Sequence, residues 1–169
     1  MIIWLHKKDF EVINMWNRKK SVELSIVVCF IVAFMVTAGV FFGPWAFKMW
    51  MFVYRGLQKD GEAIRNIVTV FSACFYPCAV IAYVALYNLL KLLYNIKNDN
   101  IFILNNVKHL RVISWCCFAV GFITLIGGIL YLPFLFVAVA ASFVGLMLRI
   151  VKNVMQAAVE ISEENELTI

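Results

Sequence analysis

The chain has 169 residues, of which 64% are hydrophobic and 15% charged, and its mean hydropathy is +0.89. A water-soluble domain of this size needs a far more polar surface, so the composition excludes one and indicates a membrane protein. The formal net charge of +5 could suggest nucleic acid, but the basic residues stand at the ends of apolar runs and form no DNA-binding motif. We therefore expect the lipid bilayer as a partner and no direct contact with nucleic acid.

Residues 1–23 mix apolar and basic side chains and precede the first long apolar run. This loosely amphipathic pattern is typical of a segment that lies along anionic headgroups. A basic tail that only determines topology is an equally good interpretation. We predict a basic cytoplasmic or interfacial segment here.

Two uncharged runs follow, Leu24–Phe47 with 24 residues and Asn66–Leu90 with 25. Each can cross a hydrocarbon core of about 30 Å once as a helix that rises about 1.5 Å per residue. Pro44 is predicted to end the first helix, because it lacks a backbone N–H. The predicted spans are Leu24–Phe42 and Ile67–Leu90.

A signal peptide is the alternative interpretation of the first run, since Val36-Thr37-Ala38 resembles a cleavage site. More than twenty residues precede the apolar run, and apolar sequence continues to Phe47. Both features are atypical of a removed signal, so we predict an uncleaved signal anchor.

The loop from Lys91 to Leu110 is rich in asparagine, which favours turns and helix starts. Asn105 is the predicted N-cap of the third helix. His109 has no second ligand at helical spacing, so it is interpreted as an interfacial cation and not as a metal ligand.

The third uncharged run, Val112–Leu148, has 37 residues and is too long for one crossing. Gly127-Gly128 and Pro133 favour two spans joined by a tight turn. A re-entrant hairpin is the alternative, but irregular backbone exposed to lipid is costly. Arg111 and Arg149, which flank the run, are expected at the headgroups. The predicted spans are Leu110–Tyr131 and Phe134–Val154.

Basic residues set the predicted orientation. With both termini cytoplasmic, eleven of the fifteen lysines and arginines lie inside, which is the bias expected of cytoplasmic loops. The predicted fold is an all-α integral membrane protein with four transmembrane helices in an antiparallel bundle. Its divisions are the segment 1–23, a membrane domain over 24–154 and an acidic cytoplasmic tail over 155–169.

Span four carries a stripe of small residues at helical spacing, which favours close packing against another helix. The stripe consists of Ala138, Ala141, Ser142 and Gly145. Span four is predicted to continue as a short cytoplasmic amphipathic helix that frays near Ser162. Its predicted polar side is Arg149, Lys152, Asn153, Gln156 and Glu160, and its predicted apolar side is Ile150, Val151, Val154, Ala158 and Ile161.

No ionisable residue lies well inside any span, and the chain has no phosphate-binding glycine loop, zinc-protease helix or nucleophile elbow. Proton relays and intramembrane hydrolysis normally need such groups. The five cysteines have no CxxC spacing and are interpreted as packing residues. We therefore expect no enzymatic activity, no metal and no cofactor.

A family resemblance is visible in the loop and the tail. Its residues are Phe102, Asn106-Val107, Leu110-Arg111, Ile113, Arg149, Lys152-Asn153, Ala157-Ala158 and the ending Glu164-Asn165-Glu166-Leu167-Thr168-Ile169. In these positions the chain resembles the bacterial family catalogued as domain of unknown function 2975. The resemblance implies a small four-helix protein of the bacterial cytoplasmic membrane, in many cases encoded beside a helix-turn-helix regulator.

The function expected from these features is interaction with a cytosolic protein, for example a helix-turn-helix regulator. The candidate interaction residues are Asn106, Lys108, Arg111, Arg149, Lys152 and Asn153. A transport accessory or a protein that gives immunity to membrane-active peptides is the alternative, and a membrane enzyme ranks third. A second copy of the chain is left open as a partner.

Overall fold

The computed structural model describes the backbone of residues 2–55, 61–101, 103–129 and 131–167, and the side chains of residues 20–50, 53, 65–101, 103–129 and 131–164. These residues form four helices and no strand. The helices are α1 (Ile2–Arg55), α2 (Gly61–Lys97), α3 (Leu104–Gly128) and α4 (Pro133–Leu167). Each contains a stretch long and apolar enough to cross a membrane. The predicted all-helical fold with four such helices is confirmed.

The long uncharged run is divided between two helices, as predicted. α3 ends at Gly128 and α4 begins at Pro133. The turn is held by backbone bonds, in which the N–H of Tyr131 donates to Gly127 O at 3.0 Å and the N–H of Phe134 donates to Tyr131 O at 3.0 Å. Proline suits the first position of a helix, because its missing N–H would have no partner there.

The prediction that Pro44 ends the first helix is wrong, since α1 runs through Pro44 to Arg55. A proline inside a helix removes one backbone hydrogen bond, whereas ending the helix in an apolar environment leaves several backbone groups without partners. Continuation is therefore the less costly arrangement. α2 likewise contains Pro77 within its length.

The extension of α4 also differs from the prediction, because the helix runs past Ser162 to Leu167. Its predicted apolar side faces outward, with Ile150, Val154 and Ile161 at 60%, 66% and 59% exposed, while Val159 is only 1% exposed. Val159 lies on the same face of the helix as Ala138 and Gly145, the two buried members of the predicted stripe. The extension therefore packs through a continuation of that stripe.

Within the described residues, the helices contact one another in chain order: α1 packs on α2, α2 on α3 and α3 on α4. The contact between α1 and α2 is aromatic, with the rings of Phe47 and Phe71 stacked at 4.0 Å between centroids. Gly39 leaves room for the ring of Phe75. Two polar contacts of the described residues also join the pair: Thr37 Oγ1 lies 2.7 Å from Tyr83 Oη, and Lys97 Nζ lies 3.0 Å from Glu23 Oε1.

Candidate functional site

The connection between α2 and α3 is built from asparagines and one left-handed residue. Asp99 has a φ of 62°. The N–H of Asn100 donates to Asn95 O at 3.0 Å, and that of Asp99 donates to Ile96 O at 3.1 Å. This is the Schellman pattern of a helix end, in which aspartate takes the position that glycine usually holds.

Asn106 closes this loop from inside and is fully buried. Its Nδ2 donates to Asn100 O and to Ile101 O, both at 2.8 Å, and its Oδ1 accepts from Asn95 Nδ2 at 2.8 Å. The amide was a candidate interaction residue, but in this conformation it is committed to bonds within the chain. The predicted N-cap, Asn105, is also wrong, since Ile103 holds that position and no side chain caps the helix.

Next to this loop, a basic cavity of about 280 Å³ lies between α3 and α4 and opens to the surface. Its lining residues are Arg111, Ser114, Trp115, Arg149 and Lys152. Three of the predicted interaction residues are therefore brought together by the fold. Among the described residues, no carboxylate forms an ion pair with any of these three cations, whereas Lys97 pairs with Glu23 at 3.0 Å elsewhere.

Two neighbours hold the walls of the basic cavity in place. The guanidinium of Arg149 lies over the ring of Trp115, 5.4 Å from its centroid, in a cation–π arrangement. Ser114 is 4% exposed, and its Oγ donates to Gly145 O at 2.9 Å. This bond ties α3 to α4 directly below the cations.

The remaining predicted polar residues lie around the cavity. Lys108 and Asn153 are exposed and do not line it. Farther along α4, Glu160 Oε1 accepts a hydrogen bond from Gln156 Nε2 at 3.1 Å, and Glu163 is exposed. This end of the molecule thus presents cations near the uncharged run and carboxylates farther out on α4.

The predicted small-residue stripe lies against α3. Ala138 is 2% exposed and Gly145 is buried, while Ala141 and Ser142 are half-buried. A Cβ at Gly121 would come within 2.7 Å of Ser142 Oγ, and one at Gly145 within 3.3 Å of Cys117 Cβ. The two backbones therefore approach one another as closely as small residues permit.

A second cavity, of about 590 Å³, lies among α1, α2 and α3. His109 is half-buried in its wall, and its Nδ1 lies 2.8 Å from Asn88 Oδ1. An amide oxygen only accepts, so the ring nitrogen donates. The ammonium of Lys91, also in the wall, lies 4.8 Å from the centroid of the Tyr87 ring.

All five cysteines are free thiols, and the described residues contain no group of three metal-ligating side chains. Cys74 lies between α2 and α3, with its Sγ 3.9 Å from Ile123 O. Cys29 is buried and the other four are half-buried, and their interpretation as packing residues stays a prediction.

Sequence reasoning interpreted Trp115 as an interfacial aromatic and Asn95 as a turn residue, and it did not place Ser114 or Trp115 in a common cavity or predict that Asn95 bonds to Asn106. Helical spacing could have predicted one wall of the cavity, because Ser114 and Trp115 follow Arg111 by three and four residues and so share one face of α3 with it. No spacing in the sequence predicts the hydrogen bonds of Asn95, since they depend on how the loop between α2 and α3 closes.

A model of the family described as a protein of unknown function, DUF2975, matches residues 21–169. The match covers nearly the whole chain, and the protein belongs to this family. No curated protein and no solved structure matches the chain.

Proposed function

We propose that this member of the DUF2975 family is a non-enzymatic membrane protein that binds a cytosolic protein. The binding surface is the end that carries the α2–α3 loop and the extension of α4. One observation carries the proposal above all: from Arg149 to Leu167 the chain is a continuous helix that leaves the uncharged run, with Val159 buried against the protein. A docked helix holds its exposed side chains in a defined arrangement.

The orientation is part of this proposal. We infer four antiparallel crossings of a bacterial cytoplasmic membrane, with both termini inside, which puts eleven of the fifteen basic residues on the cytoplasmic side. The contacts between α3 and α4 run in opposite order along the chain: Gly127 approaches Phe134, Gly121 approaches Ser142, and Ser114 donates to Gly145 O. This order supports opposite directions for the two helices.

The surface has a mixed charge that suits a protein partner. Lys108 and Asn153 are exposed beside the basic cavity, and Glu160 and Glu163 are exposed on the extension. Interspersed charges of both signs specify a partner with the complementary arrangement and increase the rate of encounter. The family resemblance suggests a helix-turn-helix regulator as that partner, bound through protein contacts and not through DNA.

The test is capture of the helix-turn-helix regulator that the family resemblance implies beside the gene, with single charge reversals at the two ends of the molecule. Lys108→Glu should weaken capture about tenfold, because each close charge pair in an interface contributes on the order of 1.5 kcal/mol or more. Lys48→Glu is the matched control, since Lys48 is exposed near the opposite end of its span. It should leave capture unchanged.

A reporter fused at the C-terminus checks that both variants keep the same orientation in the membrane. Equal capture by the parent, Lys108→Glu and Lys48→Glu would remove this surface from the interaction. An external reporter in the parent protein would reject the proposed topology as well.

A further inference from the structure

We infer that the basic cavity of Arg111, Ser114, Trp115, Arg149 and Lys152 binds a phosphate group, and that the headgroup of an anionic phospholipid supplies it. The first observation behind this site is that a cation, Lys152, lies on the packing face of α4. Ala138, Gly145, Lys152 and Val159 recur every seven residues along the face of α4 that packs against the protein. Ala138 and Val159 are 2% and 1% exposed, and Gly145 is buried.

Lys152 is therefore a long cationic side chain at a position of the packing face where small or apolar residues stand above and below. It is half-buried, and Arg111 and Arg149 approach the same cavity from α3 and α4. Three like charges around one cavity of about 280 Å³ repel one another unless an anion lies among them. The described residues supply no such anion.

The acidic residues of α4 cannot fold back to fill the cavity. α4 is one continuous helix, so Glu160 lies eight residues beyond Lys152, or about 12 Å along the axis. Its carboxylate also accepts a hydrogen bond from Gln156. Within the described residues, no carboxylate therefore neutralises the cavity, and an anion from outside the chain can do so.

Phosphate is the anion that fits these groups. Two guanidinium groups provide pairs of N–H donors that match phosphate oxygens, and the ammonium adds a third, more mobile donor. The volume of about 280 Å³ holds several waters, each with a share of about 30 Å³, and so accommodates a phosphate with part of its hydration. Stacking on Trp115 orients the guanidinium of Arg149 before the ligand arrives.

The depth of the cavity favours a lipid as the source. Arg111 and Arg149 border the uncharged run at its two ends, and the turn between α3 and α4 brings both to one level. Trp115 is 58% exposed beside them, as is usual for tryptophan at a membrane interface. Lipid phosphates lie at this boundary, and basic pockets between transmembrane helices are known to hold them.

The experiment uses the full-length protein in uncharged detergent with three probes: short-chain phosphatidylglycerol, phosphatidylcholine of the same chain length, and inorganic phosphate. Thermal unfolding and native mass spectrometry measure binding. Phosphatidylglycerol should raise the unfolding midpoint and remain bound in the gas phase, whereas phosphatidylcholine, whose phosphate is offset by choline, should do so weakly.

Arg149→Gln with Lys152→Gln should lower the apparent affinity for phosphatidylglycerol by about tenfold or more, because charge-assisted hydrogen bonds are lost. Lys48→Gln with Lys108→Gln removes the same charge at exposed positions outside the cavity and should change affinity by less than about twofold. If the cavity variant does not fold, Lys152→Gln alone provides the comparison.

Equal losses in the two double variants would overturn the site, as would equal binding of the two lipids. Inorganic phosphate that stabilises the protein as well as phosphatidylglycerol, with the same dependence on Lys152, would support the phosphate site and overturn the lipid as its source. These measurements involve no cytosolic partner, so their outcome is separate from that of the capture test.

Discussion

α1 and α3 are both apolar helices of membrane length, yet they are buried to very different extents. The most apolar 18-residue stretch of α1 has a mean hydropathy of 2.7, and 6% of it is buried inside the protein. The corresponding stretch of α3 has a mean hydropathy of 1.9, and 33% of it is buried. The more hydrophobic helix is thus the less buried one. In a bilayer the lipid satisfies apolar side chains, so hydrophobicity identifies the surface that faces lipid and not the core of the protein.

Small and polar residues distinguish the two helices instead. The buried polar side chains of the described residues are Asn106, Ser114 and Thr124, and all three lie on α3. α3 also presents Gly121 and Gly127 to its neighbours, where an added Cβ would meet other atoms at 2.7 Å and 2.9 Å. α1 packs mainly through flat aromatic rings. If this difference holds the protein together, substitutions on α3 should cost more stability than matched ones on α1 and α2.

The largest effect is expected at Asn106. Asn106→Leu removes three hydrogen bonds at a fully buried site and leaves the carbonyls of Asn100 and Ile101 without that donor, at a cost of about 3 kcal/mol. The control is Asn105→Leu, one residue earlier at an exposed position, which should change stability by less than about 0.5 kcal/mol. Thermal unfolding in detergent compares the two. Similar midpoints would show that the buried amide contributes little.

A somewhat smaller loss, about 2 kcal/mol, is expected for Gly121→Leu, because the new side chain meets Ser142 Oγ and the backbone oxygen of Ala138. Gly39→Leu makes the same change between α1 and α2, where the nearest atom is a ring carbon of Phe75 at 3.4 Å. That ring can move, so this variant should lose less than half as much. The comparison of α1 with α3 fails if the two variants unfold at the same temperature.

The smallest effect concerns single hydrogen bonds between helices. Ser114→Ala removes the buried bond to Gly145 O and should cost about 1 kcal/mol. Tyr83→Phe removes the hydrogen bond to Thr37 of α1, but the Thr37 hydroxyl keeps a second partner, Ala33 O at 2.8 Å. We therefore expect a loss of stability nearer 0.5 kcal/mol, roughly the average for hydrogen bonds between helices in membranes. A larger loss for Tyr83→Phe than for Ser114→Ala in denaturant unfolding would reverse the expected order.

Much of the fold was predictable because long uncharged runs permit few structures in a bilayer. The run Val112–Leu148 is too long for one crossing, so two helices were expected, and Gly127, Gly128 and Pro133 located the turn between them within a few residues. The stripe of small residues on α4 was predictable for a similar reason, since spacing by three and four residues places side chains on one helical face. These are local properties, so the sequence alone is enough to predict them.

The wrong predictions share a different physical cause. Pro44 has the chemistry of a helix breaker, yet α1 passes through it, because the environment makes an ended helix more costly than one missing bond. Asn105 and Asn106 are equivalent by composition, and only the closure of the loop makes the second one buried. The burial of Val159 in place of Ile161 likewise depends on where α3 lies beside the extension.

The sequence by itself determined that the chain is helical, that four helices can span a membrane and that its charges stand at the ends of these helices. Those properties follow from hydrogen-bond satisfaction and solvation, which act residue by residue. Only the tertiary structure decided which charged side chains line the same cavity. Arg111 is far from Arg149 and Lys152 along the chain, and their common cavity exists because small residues let α3 and α4 approach closely over their whole length of contact.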